Sequence, residues 1–92
     1  IGMTEERTIQ LLVSDLAYSD YSKLAGELRN IRGVTYVFPR EWGKGVPAVY
    51  DIKTTATEDD ITARFEEIGL EVLKFKMNKI EVKKVKKGWW KK

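Results

Sequence analysis

Apolar residues recur along this chain with two different periods, and the order of these periods constrains the fold more than any other feature. In four stretches apolar and polar residues alternate, as Ile9, Leu11 and Val13 do in the first, which predicts β-strands with one buried face. These stretches are residues 8–14, 35–42, 46–54 and 71–77. Two other segments repeat apolar residues every three or four positions, which predicts helices with one buried stripe.

The predicted helices have recognisable ends. The apolar stripe of the first is Tyr21, Leu24, Ala25, Leu28 and Ile31, and that of the second is Ile61, Phe65 and Ile68. Ser19 or Asp20 can cap the first helix, and Thr57 can cap the second, where three acidic residues follow it and oppose the positive end of the helix dipole. Gly33 and Gly69 then end the two helices.

The resulting order, βαββαβ, predicts an α+β fold of the ferredoxin-like type, a sandwich in which an antiparallel sheet carries two helices on one face. Each helix has only one apolar stripe, and the strands need only one covered face. Gly43-Lys44-Gly45 predicts the hairpin turn between the second and third strands. Residues 80–85 predict an extra short strand at the C-terminal end of the domain.

Length and composition predict one domain. Ninety-two residues with 42% hydrophobic and 34% charged composition suffice for one core and are too few for two. We expect this domain over residues 8–85, an N-terminal tail over residues 1–7 and a basic, tryptophan-containing tail over residues 86–92. We expect no signal peptide or membrane span, and the compartment is left open. Because the first residue is Ile1, a mature form or a piece of a longer protein is expected.

The chain has no cysteine and no histidine, which removes thiolate ligands, the imidazole ligand and the usual proton shuttle at neutral pH. Three neighbouring carboxylates, Glu58, Asp59 and Asp60, could suggest a hard-metal cluster. Consecutive residues at a helix start point in different directions, however, and capping already explains them. An acylphosphatase-like phosphate loop is also excluded, because residues 15–21 contain no basic residue or glycine. We therefore expect no enzyme activity, no metal and no cofactor.

Charge is distributed unevenly along the sequence. Residues 1–71 hold 8 basic and 13 acidic side chains, whereas residues 72–92 hold 9 lysines and one glutamate. A basic C-terminal segment suits an anionic surface such as nucleic acid or lipid headgroups, and it equally suits a purely solubilising role.

Three segments carry a resemblance to a known family. Residues 11–21 align without a gap with the first strand and metal loop of heavy-metal-associated domains. Leu28-Arg29-Asn30-Ile31-Arg32-Gly33-Val34 and residues 63–72 look like the two helix ends of that family. The chain thus resembles a heavy-metal-associated domain over about residues 8–77, which implies the same βαββαβ fold.

The metal chemistry of that family is not carried over. Its members have Gly-Met-x-Cys-x-x-Cys at this junction, and the two thiolates hold a soft ion such as copper(I). This chain has Asp15-Leu16-Ala17-Tyr18-Ser19-Asp20-Tyr21 instead. A phenol has a pKa near 10 and is a poor ligand for soft metals, so the resemblance implies a scaffold without its metal site.

Six residues are candidates for binding a partner: Tyr18, Tyr21, Arg40, Trp42, Trp89 and Trp90. The two tyrosines either pack against the first helix or present the loop to a partner. Arg40, Trp42 and Lys44 lie at the hairpin, where they form a contact patch or protect a strand edge by charge. The two tryptophans near the C-terminus lie between lysines, a composition that suits a membrane interface, base stacking, partner docking or an end without function.

We predict a non-catalytic interaction or structural module, an accessory domain of a larger bacterial-type protein. It would bind a protein partner or itself, by sheet-edge pairing or by docking aromatic side chains, and no small-molecule substrate is inferred. The alternative is a nucleic-acid-binding domain similar to RNA-recognition motifs that uses the basic C-terminal segment. The stacking positions of those motifs are filled here by Leu12, Val46 and Ala48, which are not aromatic. A membrane surface is a weaker third candidate.

Overall fold

A computed structural model of the chain describes residues 5–85. Its elements, in chain order, are β1 Arg7–Ser14, α1 Tyr18–Arg29, β2 Val34–Glu41, β3 Ala48–Thr54, α2 Glu58–Glu67, β4 Leu70–Lys76 and β5 Lys79–Lys84. The helices and strands predicted from the two apolar periods are all found, including the extra C-terminal strand. The predicted basic tail at residues 86–92, with Trp89 and Trp90, lies outside the described residues.

Local sequence explains how the helices begin and end. The Thr57 hydroxyl accepts a hydrogen bond from the Asp60 backbone N–H at 3.2 Å, as predicted for the α2 cap. The predicted side-chain cap of α1 is wrong, because α1 follows Ala17, and Asp20 is buried in the first turn instead. Gly33 and Gly69 have φ of 93° and 92°, the left-handed conformation that glycine adopts most easily after a helix.

The five strands form one mixed sheet in the order β2-β3-β1-β5-β4. The central strand, β1, pairs antiparallel with β3 and parallel with β5, so that Leu11 lies opposite both Tyr50 and Ile80. β2 pairs with β3 at one edge, and β4 pairs with β5 at the other.

The predicted ferredoxin-like sandwich with an antiparallel sheet is therefore wrong. After a turn at Met77, which has a φ of 53°, the chain reverses and β5 enters the sheet between β4 and β1. Burial accounts for this position. Ile80 and Val82 are fully buried, so β5 suits the interior, whereas the exposed Lys74 and Lys76 of β4 suit an edge strand.

One face of the sheet packs with both helices into a single core. The strands contribute Ile9, Leu11, Val13, Val37, Ala48, Tyr50, Ile52, Leu70, Ile80 and Val82, and the helices contribute Leu24, Ala25, Leu28, Ile61 and Phe65. Complete burial of a Val, Leu, Ile or Phe side chain contributes about 1.5–3 kcal/mol. We call the other side of the sheet the open sheet face. It carries Tyr36 and Phe38 of β2, Lys53 of β3, Gln10 of β1 and Lys79 of β5.

The two edge strands depart from simple alternation. The sequence places Tyr36 and Phe38 on one side of β2 together with Val34, and the structure exposes both rings while Val37 is buried. In β4, a register shift between Val72 and Lys74 leaves Leu73 exposed, although alternation groups it with Phe75, which is partly buried. Register shifts between Val34 and Tyr36 in β2 and between Val72 and Lys74 in β4 interrupt the alternation, so some residues that a period of two groups together lie on different sides.

Within residues 5–85, neither helix is long and apolar enough to cross a membrane.

Gly33→Ala should destabilise the domain by about 1–2 kcal/mol, because a side chain disfavours its positive φ. The added Cβ would also lie 3.0 Å from the Ala56 Cβ. Gly26→Ala is the matched control. A Cβ at that position inside α1 meets nothing within 4 Å, so we expect a gain of about 0.5–1 kcal/mol. Urea unfolding measures both changes, and a Gly33→Ala variant as stable as the wild type would contradict this account.

Candidate functional site

Three segments meet at the end of the sheet where β1 finishes. They are the β1–α1 loop at residues 15–17, the first turn of α1 and the β2–β3 hairpin at residues 42–47. Asp15 has a φ of 58°, a left-handed conformation that aspartate tolerates, and it turns the chain from β1 towards α1. The Trp42 Nε1–H donates to the Leu16 carbonyl oxygen at 2.8 Å. This bond ties the hairpin to the loop.

Four aromatic rings lie in series here, and we call Tyr18, Tyr21, Trp42 and Tyr50 the aromatic end. The ring centroids of Tyr21 and Tyr50 are 5.1 Å apart, and those of Tyr18 and Tyr21 are 6.5 Å apart. The Trp42 ring meets Tyr18 edge-on at 5.1 Å. Such pairs contribute about 0.5–1.5 kcal/mol each beyond their buried area. The rings therefore connect the core to the surface through fixed contacts.

The inner rings are held by hydrogen bonds and burial. The fully buried Tyr50 donates its hydroxyl hydrogen to the Tyr21 carbonyl oxygen at 2.7 Å. Burial raises the pKa of Tyr50 well above its ordinary value, and burial also raises the pKa of Tyr21. Both phenols therefore stay protonated at neutral pH, so neither can act as a base or as an anionic metal ligand.

The outer part of the aromatic end is open to solvent. Tyr18 is 68% exposed, and Val46 of the hairpin is 54% exposed. A depression of about 140 Å³ lies between the loop and the hairpin, and it is lined by Ser14, Asp15, Leu16, Gly43, Gly45, Val46 and Pro47. The aromatic end thus offers ring surface, an apolar hairpin residue and the Asp15 carboxylate within one region of the surface.

No metal centre is assembled at this position in the described part of the chain. Tyr18 and Tyr21 occupy the two places where the heavy-metal-associated resemblance would put thiolates. In residues 5–85, no group of three or more histidine, cysteine, aspartate or glutamate side chains could hold a metal ion.

Arg40 belongs to a different surface. Its guanidinium donates to Asp51 Oδ2 at 2.6 Å, and the two side chains form an ion pair towards the open sheet face. The predicted residues therefore separate into groups. Tyr18, Tyr21 and Trp42 come together, Arg40 lies apart from them, and Trp89 and Trp90 lie outside the described residues.

Sequence reasoning missed Tyr36 and Phe38 as surface residues. They are 52% and 45% exposed on the open sheet face. The Lys53 Nζ lies 5.8 Å from the Tyr36 ring centroid, as in a cation–π contact. The residues that alternate with Tyr36 and Phe38 along β2 are less hydrophobic than these two, so hydrophobicity alone favours burying the two rings. Register shifts interrupt the pairing at both ends of β2, and the sequence indicates only the one after Pro39, because proline favours an edge or a bulge.

Both edges of the sheet have features that hinder the addition of another strand. On β2, Pro39 has no N–H to donate, and the Arg29 Nη2 donates to the Val37 carbonyl oxygen at 3.4 Å. On β4, a bulge interrupts the pairing and two lysines are exposed. Natural proteins use proline, bulges and charge in this way against edge-to-edge association. Of the two predicted binding modes, aromatic docking is favoured over sheet-edge pairing.

Tyr50→Phe should lower the free energy of unfolding at pH 7 by about 1 kcal/mol, because it removes the hydrogen bond to Tyr21. The substitution should also change how the free energy of unfolding depends on pH in the alkaline range. Above about pH 10 the unfolded chain releases the Tyr50 proton while the folded protein keeps it, so wild-type stability falls as pH rises. The difference between the two proteins should therefore shrink from about pH 10 to pH 11.5. Urea unfolding measures this, with Tyr36→Phe as control, and a constant difference would contradict the buried hydroxyl.

Comparison of the chain with protein-family models, with curated proteins and with solved structures finds no match in any of the three. The resemblance to heavy-metal-associated domains therefore stays a prediction.

Proposed function

We propose that this domain is a non-catalytic binding module whose aromatic end docks a segment of a protein partner. The proposal rests on how neighbouring side chains hold the Tyr18 ring in place. This ring is mostly exposed, yet it contacts Trp42 and Tyr21, which are themselves fixed to the loop and the core.

Rigid support matters because ordering a flexible side chain costs about 0.5–1.5 kcal/mol on binding. The Trp42 indole is held by its bond to Leu16, and the Tyr21 ring rests on the buried Tyr50. Tyr18 thus reaches the surface with much of this cost already met in folding. Aromatic residues in such settings supply about 2 kcal/mol or more of binding energy in many protein interfaces.

The surroundings of Tyr18 define the chemistry of the partner. Val46 and the ring offer apolar contact, and the exposed Asp15 carboxylate lines the neighbouring depression. A segment with an apolar side chain next to a lysine or arginine would satisfy both features. The depression is about the size of one side chain, so it suits a short motif and does not suit a large ligand.

The absence of cysteine and histidine from the sequence supports the non-catalytic part of the proposal. The two tyrosines with clearly raised pKa values become weaker acids, which is the wrong direction for a base at neutral pH.

Selection of a phage-displayed random peptide library on the 92-residue protein tests this function. We expect enriched peptides to combine an apolar residue with a basic one, and Tyr18→Ala to weaken their affinity at least about tenfold, as for a hot-spot residue. Val46→Asp should also weaken them. Tyr36→Ala, which removes a similarly exposed tyrosine from the open sheet face, is the matched control and should bind as the wild type does.

Two results would contradict the proposal. One is a selection that enriches no peptide above the level of an unrelated domain. The other is a set of peptides that bind the wild type and Tyr18→Ala equally.

A further inference from the structure

The side chains of the open sheet face follow a regular arrangement that plays no part in the docking proposed for the aromatic end. Residues directly opposite each other on neighbouring strands form rows across it. One row runs Phe38, Asp51, Gln10, Lys79 and Lys76, through all five strands. With strands about 4.8 Å apart, this row spans roughly 19 Å. An aromatic side chain therefore stands at one end of the row and two lysines stand at the other.

Positive charge on this face is only partly neutralised. Arg40 pairs with Asp51 at 2.6 Å, and Lys83 pairs with Glu71 at 3.7 Å. Among residues 5–85, no carboxylate lies within ion-pair distance of the four lysines Lys53, Lys74, Lys76 and Lys79. Three carboxylates without such a partner also belong to the face, Glu41 and Glu81 by register and Glu6 through its hydrogen bond from the Thr35 hydroxyl. The unpaired groups therefore leave a positive balance.

Lys76 and Lys79 strengthen this argument because they lie directly opposite each other. Like charges in that arrangement destabilise a sheet. The pair is therefore unfavourable for the isolated domain, and a bound anion would relieve the repulsion.

On the opposite side of the molecule, the net charge of helix α2 is negative. Helix α2, which covers the core on the far side of the sheet, carries five carboxylates and one arginine within residues 58–67. An anionic ligand would be steered towards the open sheet face and away from α2.

The aromatic half of the face restricts which anion fits. Tyr36 and Phe38 are two residues apart on β2 and point to the same side, which places their attachment points about 7 Å apart. Each ring is about half exposed, and the Lys53 ammonium lies over Tyr36. Exposed rings beside ammonium groups match bases joined by phosphates, because every base can stack and every linkage is negative.

Polar side chains lie between the two halves. Thr8, Gln10 and Ser14 of β1 face the open side together with Leu12, and their hydroxyl and amide groups can bond base edges and a ribose 2′-hydroxyl.

We infer that the open sheet face binds single-stranded RNA, with Tyr36 and Phe38 stacking bases and the lysines of β3, β4 and β5 contacting phosphates. This inference goes beyond the proposed protein docking and uses none of the residues of the aromatic end. Charge complementarity and the two exposed rings select this occupant over a protein partner.

Fluorescence anisotropy with a labelled mixed-sequence 12-nucleotide RNA tests the inference on the 92-residue protein. Phe38→Ala should weaken binding at least about fivefold, because stacking is worth about 1–3 kcal/mol per base. Tyr36→Ala should act similarly. Tyr18→Ala, an exposed tyrosine at the other site, is the matched control and should leave the RNA affinity unchanged. A result that contradicts RNA binding at the open sheet face would thus be distinguishable from one that contradicts peptide docking at the aromatic end.

Lys79→Glu separates a binding role from a structural one. It replaces a repulsive pair with an attractive one, so urea unfolding should show equal or greater stability. RNA binding should nevertheless weaken, and the slope of log affinity against log salt should fall by about 0.7 per lost phosphate contact. Lys23→Glu on α1 carries the same charge change away from the face and should have a smaller effect.

Three outcomes would overturn the inference. If none of the Tyr36, Phe38 and Lys79 variants weakens binding, the RNA is held elsewhere in the chain. If only Lys79→Glu acts, and vesicles of phosphatidylcholine and phosphatidylserine are bound as tightly as RNA, the face is a general anion surface. If a labelled 12-nucleotide DNA of the same sequence binds as tightly as the RNA, the assignment to RNA is wrong.

Discussion

The parallel pairing of β5 with β1 is the interaction on which the rest of this structure depends. It sets Ile80 and Val82 beside Leu11 and Val13 in the core and leaves β4 at the edge. It also widens the open sheet face by one strand, which carries Lys79. At the C-terminal end of β5, the Lys84 Nζ lies 3.5 Å from Oδ2 of the buried Asp20 in the first turn of α1. The same pairing therefore builds one candidate surface and helps to position the helix that begins at the other.

The two surfaces use aromatic residues in different ways. At the aromatic end, Trp42 and Tyr50 direct their polar groups to backbone carbonyls. The Trp42 ring contacts the exposed Tyr18 directly, and the Tyr50 ring supports it through Tyr21. Their role is structural, and in the proposed docking only Tyr18 and its neighbours would contact the partner. On the open sheet face, Tyr36 and Phe38 rest on a strand edge, with lysine charges further along the sheet. One scaffold can thus present an apolar site and a basic site with little overlap.

Much of the secondary structure follows from the sequence, because apolar periods and the glycines at positions 33 and 69 are local signals. The order of the strands in the sheet does not follow from the sequence. Alternation indicates that residues 80–85 form a strand, but only the burial of Ile80 and Val82 between two other strands places it inside the sheet. The site was predictable in part. Tyr18, Tyr21 and Trp42 converge, whereas the register shifts of β2 turn Tyr36 and Phe38 towards solvent against the direction that hydrophobicity favours.

Native-state amide hydrogen exchange followed by NMR tests the central claim most directly, because it reports which strands lie inside the sheet. If β5 lies between β1 and β4, the amides of residues 80–82 should exchange as slowly as those of residues 11–13, and those of β4 should exchange faster. Rapid exchange throughout β5, with strong protection of β4 beside β1, would mean that β4 is the inner strand. In that case neither the lysine row nor the wide open sheet face would exist as described.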